Sequence, residues 1–372
     1  MHEEIFEARL QHVRHKDVYR SLPRPYGEGS CEIDFASNDY LGFASQHVSV
    51  PRAVPLGASG SRLLTGNSKS VESFEEEVAE FFESPKALAF CSGYSLGVGV
   101  LAALARNDDI IILDQAIHAC WVDGAKLSSA TTYYFRHNDL SHLRTRLTRL
   151  RQRRPRSLVY VVVESIYSMG GDLAPLVEMS RLCAQFDALL IVDEAHGVGV
   201  LGRGGKGGVV HANLEKQVFA RVVTFGKGLG GAGAVWLSSQ LSCAQVVNFC
   251  HSFIYTTAVS PTAVAVMQTG LRYLKDSAMK VLALQQKVEK FRCQLSAPPS
   301  LSPILSLRMD SFADLVRVYS CLKASKINVS LIRSPTVRRG YERLRIVFHS
   351  SNSAAEVQKL VEEIKNESYQ WI

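Results

Sequence analysis

Between residues 87 and 237 the chain repeats one pattern: a short apolar run, largely β-branched, with little polar alternation. The runs are Ala87–Phe90, Ile110–Asp114, Leu158–Glu164, Leu189–Asp193, Val222–Phe225 and Ala234–Leu237. Runs of this kind suit strands of a parallel sheet buried on both faces. Helix-like stretches separate them at Ser70–Phe82, Tyr94–Leu104, Ser141–Gln152 and Leu176–Phe186. The alternation predicts an α/β unit that takes its ligand beyond the carboxyl ends of the strands.

The flanks read differently. Residues 1–45 form an N-terminal segment with a helical start and a turn-rich stretch around Pro23, Pro25 and Gly27. Residues 46–270 make the large unit. Residues 271–372 make a smaller α+β unit, with strands near Ile304–Met309 and Leu344–Phe348 and helices at Phe312–Ser325 and Ala354–Asn366. One long helix is expected over Thr262–Lys290, with Pro261 in its first turn.

With 372 residues, 47% of them hydrophobic, the chain can bury a sizeable core. Its first residues have no apolar stretch, so no secretory signal is expected. No apolar run is long enough to span a membrane. The eight cysteines lack Cys-x-x-Cys spacing, so neither a metal site nor a redox motif is expected. Reduced packing thiols and a cytoplasmic location follow. The net charge of +7 is concentrated in Arg144, Arg146, Arg149, Arg151, Arg153, Arg154 and Arg156. Leu143, Leu147 and Leu150 recur there at helical spacing. That helix reads as a solvated face or as a surface for an anionic partner. No aromatic residues interleave with the arginines, which argues against nucleic acid.

Three strand ends carry the reactive groups: Glu164-Ser165, Asp193-Glu194-Ala195-His196-Gly197, and Gly226-Lys227-Gly228. They bring carboxylates, an imidazole and an amine to one rim of one sheet. A structural Asp–Lys ion pair leaves the glycines around Lys227 unexplained. Pyridoxal phosphate (PLP) accounts for all of them. Its aldehyde needs a lysine, Lys227, and its ring nitrogen needs a carboxylate, Asp193. Its phosphate needs a helix start after a strand, which Ser92-Gly93-Tyr94 supplies, with the Thr224 hydroxyl beside it.

With these motifs in order, the chain resembles the α-oxoamine synthases over nearly its whole length. The likeness starts at Asp34-Phe35-Ala36-Ser37-Asn38-Asp39-Tyr40-Leu41-Gly42 and continues through Gly60–Gly66 and His118. It then takes in Glu164–Asp172, Asp193–Gly199, Thr224–Gly228 and Tyr255-Thr256-Thr257, and closes on Arg343-Leu344-Arg345. Ile332-Arg333-Ser334-Pro335-Thr336-Val337 resembles the branch that serves biotin synthesis. The resemblance implies a fold-type I, aspartate aminotransferase-like α/β architecture with a mixed, mostly parallel sheet. It implies a homodimer that condenses L-alanine with a pimeloyl thioester, carried on coenzyme A or on an acyl carrier protein.

The resemblance also implies roles. Lys227 holds the cofactor and then moves the α-proton. Asp193 faces the ring nitrogen, His118 stacks on the ring, and His196 and Ser168 reach the ring oxygen. Ser92, Gly93, Tyr94 and Thr224 frame the phosphate, with Thr257 arriving from a second subunit. Arg345 and Asn38 bind the amino acid, Arg20 helps shape the acyl-donor site, and Thr336 belongs to the substrate site. Two positions depart from the family pattern: Val71 stands where a histidine is usual and Gly97 where an asparagine is usual. One rival reading is a serine hydrolase, since Gly93-Tyr94-Ser95-Leu96-Gly97 fits a nucleophile elbow, with Asp310 and His349 as nominal partners. Another is a non-catalytic subunit of the family, which the presence of Lys227 opposes.

Overall fold

The computed structural model describes residues 2–15, 19–20, 22, 32–46, 54–365 and 369–371. Pro23, Pro25, Gly27, Cys31 and Asn366 lie outside the described residues. The strands in chain order are β1 (Ile33–Asp34), β2 (Lys86–Phe90), β3 (Ile110–Asp114), β4 (Thr131–Phe135), β5 (Val159–Glu164), β6 (Leu189–Asp193) and β7 (Ala220–Thr224). They continue as β8 (Ala234–Ser238), β9 (Ile304–Arg308), β10 (Ile327–Asn328), β11 (Ser330–Ile332), β12 (Arg343–Val347) and β13 (Gln370–Trp371).

A seven-stranded sheet in the order β2-β8-β7-β6-β5-β3-β4 forms the centre. Only β8 runs against its neighbours. The other pairings are parallel, so β3, β5, β6 and β7 end on one rim. Alternation along the strands feeds two separate cores. Ile111, Leu113 and Val162 pack with Trp121 and Trp236 on one face. Ile110, Ile112, Val161 and Val163 pack on the other face against Leu143, Leu147 and Leu150. Both faces are therefore dry, as the unalternating runs require.

The first six helices in chain order are α1 (His2–His15), α2 (Lys69–Phe81), α3 (Gly93–Leu104), α4 (Ala119–Leu127), α5 (Leu140–Arg153) and α6 (Leu176–Gln185), and the starts of α3 and α4 reach the site. Among the described residues no helix is long and apolar enough to cross a membrane. The smaller C-terminal unit is built on an antiparallel sheet, β11-β12-β9-β13. The N-terminal segment is bound to that unit: β1 pairs in parallel with β10, and Val347 N–H donates to Phe35 O at 2.8 Å. Asn38 and Tyr40 are thus carried to the inner edge of the smaller unit.

Two expectations change, and two elements form that the sequence does not signal. The long helix over Thr262–Lys290 is two helices, Pro261–Lys275 and Ala278–Gln294. Asp276 closes the first through its N–H to Arg272 O, and Ser277 opens the second. Strand β4 and helix α4 carry no clear sequence signal. β4 is a half-buried edge strand without an aliphatic run, and α4 spans nine residues with a glycine inside. The arginine segment is only partly a free surface. Arg151 donates to the carbonyls of Phe186 (2.6 Å), Ser157 (2.7 Å) and Asp187 (2.5 Å). Arg144 bonds Gln185, Arg154 bonds Thr131, and Arg146 lies over the Tyr133 ring. Arg149, Arg153 and Arg156 are left as its exposed charge.

The loop after β5 meets the small sheet at Gly171, where φ is +77°. A Cβ there would sit 2.2 Å from Ile304 O, a backbone atom of β9. Gly171→Ala is expected to destabilise the protein by about 1–3 kcal/mol, since left-handed strain and a backbone clash add. Thermal unfolding checks this, with Gly204→Ala as control: Gly204 has φ +64° but open space around it.

Candidate active site

A cavity of about 230 Å³ opens at the rim of the large sheet. Its wall holds Ser92, Gly93, Tyr94, His118, Cys120, Glu164, Asp193, Ala195, Thr224, Gly226, Lys227 and Gly233. Each arrives from the end of an element. Ser92 caps α3, its Oγ accepting from Ser95 N–H, and Ser92, Gly93 and Tyr94 at that helix start line the cavity. His118 caps α4, its Nδ1 accepting from Cys120 N–H. Glu164 ends β5, Asp193 ends β6 beside it in register, and Thr224 ends β7.

Asp193 and Lys227 face this space without forming an ion pair. Asp193 Oδ1 accepts from Ala195 N–H at 2.9 Å, and Oδ2 from the Trp121 indole at 2.8 Å. Lys227 Nζ meets His196 Nε2 at 2.9 Å. From there a line of hydrogen bonds leaves the cavity. His196 Nδ1 meets Tyr40 OH, and Tyr40 OH donates to Asn38 Oδ1 at 3.4 Å. Arg345 Nη2 donates to the same Oδ1 at 2.8 Å, and Arg345 Nε to Ser168 O at 2.6 Å. Burial pushes the Lys227 amine below its usual value, against the pull of Asp193 and Glu164. Burial also drives the His196 imidazole well down, helped by Lys227 and Arg345, so it is neutral. Burial, then the neighbouring Asp193, raises the Glu164 carboxyl.

The residues present fit pyridoxal phosphate. Thr224 Oγ1 and Glu164 Oε1 are buried polar atoms without a hydrogen-bond partner, and both residues line the cavity. A Cβ on Gly93 would lie 2.8 Å from Thr224 Cγ2, so only glycine lets the helix start and that hydroxyl converge. Together they leave a recess with a free hydroxyl at a helix start that a phosphate would fit, with an amine and a carboxylate also in the cavity wall.

Of the residues singled out from the sequence, Ser92, Gly93, Tyr94, His118, Asp193, Thr224 and Lys227 line the cavity, and His196 touches Lys227. Ser168, Arg345 and Asn38 adjoin through the hydrogen-bond line. Arg20 and Thr336 bond one another at 2.9 Å, outside the cavity wall. Thr257 is exposed and also outside it; its carbonyl lies 3.5 Å from Cys91 Sγ. Val71 is fully buried in the core. A Cβ on Gly97 would meet Cys120 Sγ at 2.7 Å, so the glycine seats α4 against α3. The hydrolase arrangement is not formed: Ser95 Oγ donates to Ser92 O, while His349 bonds Ser37 and the Asp34 carbonyl. The sequence points to no role for Tyr40 or Trp121, and places Glu164 on the rim without a partner. Tyr40 and Glu164 stand inside quoted motifs, whereas Trp121 reads as an ordinary core residue.

Behind the site, His137 bridges Asp114 and Asp172. Asp172 belongs to the loop that carries Ser168. Burial opposes the charged form, but the bonds to Asp114 and Asp172 push the His137 imidazole up to about 10. A group raised on folding stabilises fully below its unfolded value, about 6.5, and loses that contribution as pH rises toward the folded value. The difference in thermal midpoint between wild type and His137→Gln is therefore expected to be largest near pH 6, roughly at the unfolded value, and to shrink toward pH 10. A difference independent of pH would remove the charged bridge.

The family model for aminotransferase class I and II matches residues 31–364. The chain is 35% identical to 8-amino-7-oxononanoate synthase of Cellvibrio japonicus, covering 96% of this chain and 93% of that protein. It is 32% identical to the enzyme of the same name from Marinobacter nauticus, covering 95% and 92%. Among solved structures, serine palmitoyltransferase from S. paucimobilis, with a bound PLP–myriocin aldimine, superposes with a TM-score of 0.86. That match is at 25% identity and covers 97% of this chain and 96% of the other. 8-Amino-7-oxononanoate synthase from Francisella tularensis superposes with a TM-score of 0.75 at 28% identity, covering 90% and 97%. The chain belongs to the aminotransferase class I and II family and, within it, to the α-oxoamine synthases, a group of pyridoxal-phosphate-dependent acyltransferases.

Proposed function

We propose that the enzyme condenses L-alanine with a pimeloyl thioester, releasing carbon dioxide and free thiol and forming 8-amino-7-oxononanoate for biotin synthesis in the cytoplasm. The observation that carries the amino-acid half is the buried Arg345 guanidinium, held by Asn38 and Ser168 at the end of the line from Lys227. The relatives' names support the acyl half.

Bound pyridoxal phosphate supplies an electron sink for the α-carbon of the amino acid. This chain does the rest. Ser92, Gly93, Tyr94 and Thr224 take the phosphate, and Asp193 holds the ring nitrogen protonated. His118 covers the ring, and Ser168 and neutral His196 reach its oxygen. Arg345 and Asn38 bind the carboxylate of alanine. Lys227 holds the cofactor, and its lowered proton affinity suits it to take and return the α-proton near neutral pH. The new carbon–carbon bond forms as the carbon–sulfur bond breaks, and the carboxylate then leaves as carbon dioxide. Arg20 and Thr336 lie toward the acyl chain.

A homodimer fits the reading. Thr257 stands outside its own chain's cavity, available to a partner's, and Leu63, Leu64, Tyr94 and Tyr255 expose apolar surface. An acyl carrier protein is one of the two donors this reading allows, and Arg149, Arg153 and Arg156 offer it exposed positive charge. The higher TM-score of the serine palmitoyltransferase favours a second reading, with serine and a longer acyl chain.

The test offers alanine, glycine and serine with pimeloyl and palmitoyl thioesters, on coenzyme A and on carrier protein, and measures thiol and carbon dioxide. Alanine with pimeloyl should give the highest kcat/KM. Serine with palmitoyl in first place would establish the second reading. Arg345→Ala should raise the KM for alanine roughly 10- to 100-fold, as loss of a charged hydrogen-bond partner does.

A further inference from the structure

The Asp193 carboxylate is buried at the end of β6, and its two fixed partners are both neutral donors. Ala195 N–H holds Oδ1, and the Trp121 indole holds Oδ2. The backbone donor is available to any residue at 195, whereas the indole donor depends on the side chain at 121. Trp121 is fully buried among Leu113, Ile191 and Trp236, where its N–H has no route to water. One turn earlier on the same helix stands His118, in the wall of the same cavity. The helix itself is seated by close backbone approach: a Cβ on Gly124 would meet Gly97 O at 2.5 Å and Val98 O at 2.9 Å. The first turn of α4 is therefore held as a rigid unit that carries both a ring-facing histidine and the donor behind the carboxylate.

We propose that Trp121 is a positioning residue for the cofactor: its indole N–H fixes the Asp193 carboxylate in the orientation that meets the ring nitrogen. The inference rests on the proposed pairing of Asp193 with that nitrogen. A carboxylate held in one orientation keeps its oxygen on the ring N–H, and that charge-assisted contact stabilises the protonated ring. Without the indole donor the carboxylate is free to turn, the contact weakens, and the protonated ring loses that stabilisation. A neutral donor suits this task better than a cation, which would compete with the ring nitrogen for the negative charge.

Trp121→Phe keeps an aromatic ring in the core and removes the N–H. Two quantities are read in the wild type, in Trp121→Phe and in Asp193→Asn. One is the Kd of pyridoxal phosphate for the apoenzyme. The other is the nitrogen NMR shift of ring-labelled cofactor bound without substrate. Trp121→Phe is expected to raise the Kd about tenfold, the lower end for a hydrogen bond to a charged group. It should move the ring nitrogen toward its neutral position, with the KM for alanine unchanged. A purely structural role would leave the nitrogen shift where it is. If Asp193→Asn moves both quantities and Trp121→Phe moves neither, the inference is overturned. If Asp193→Asn moves neither, the pairing of Asp193 with the ring nitrogen is wrong, and the role of Trp121 falls with it. Should Trp121→Phe not fold, benzothienylalanine at position 121 keeps the bicyclic shape, replaces N–H by sulfur, and gives the same two readings.

Discussion

Two carboxyl groups stand side by side at the rim of the sheet, Glu164 and Asp193 on adjacent parallel strands, with a half-buried lysine across the cavity from them. Parallel register makes this unavoidable, since strands that run together end together. Buried charge of this kind is costly unless it is partnered. The surroundings answer that cost with neutral donors and not with an opposing cation. Asp193 receives an indole and a backbone N–H, and Glu164 Oε2 accepts from Ser168 N–H while its Oε1 stays unpartnered. Lys227 is turned to neutral His196. The result is an acid rim and a poised amine separated by a space that a charged planar ring would complete.

The second constraint is how the units meet. The N-terminal segment is stitched to the smaller unit by β1 and β10, and Ser350 N–H donates to Tyr40 O at 2.8 Å. Arg345 on β12 reaches across to the loop that follows β5, and Ser306 on β9 bonds Met169 O in the same loop. That loop is held from behind by His137 and Asp172 and from the side by Gly171 against Ile304. The amino-acid site proposed around Arg345 thus draws on three chain segments far apart in sequence, while Ser92, Thr224 and Asp193 all belong to the large sheet and its helices.

Much of this was legible from residue patterns. Unalternating β-branched runs located six strands of the large sheet, and the polar residues ending them located the rim. Ser92 before a helix, with Thr224 at the end of a strand, was enough to suggest a phosphate. What stayed hidden has a common cause. β4 is an edge strand of threonines and tyrosines, so its pattern is not that of a buried strand. Trp121 is 72 residues from Asp193, and an indole in an apolar stretch reads as packing until its N–H is found on a carboxylate. Tyr40 likewise joins Asn38 to His196 only through long-range folding. The arginine cluster misled in the other direction. Spacing shows where the charges stand on the helix, but not that Arg151 is consumed by three backbone carbonyls.

The proposed chemistry requires that Lys227, and no other lysine, carry the cofactor. Borohydride reduction of the holoenzyme, followed by digestion and mass spectrometry, reads this without any assumption about substrate. The pyridoxyl mass should appear on the peptide containing Lys227 and disappear in Lys227→Ala. A pyridoxyl group on a different lysine of the wild type, with Lys227 unmodified, would contradict it.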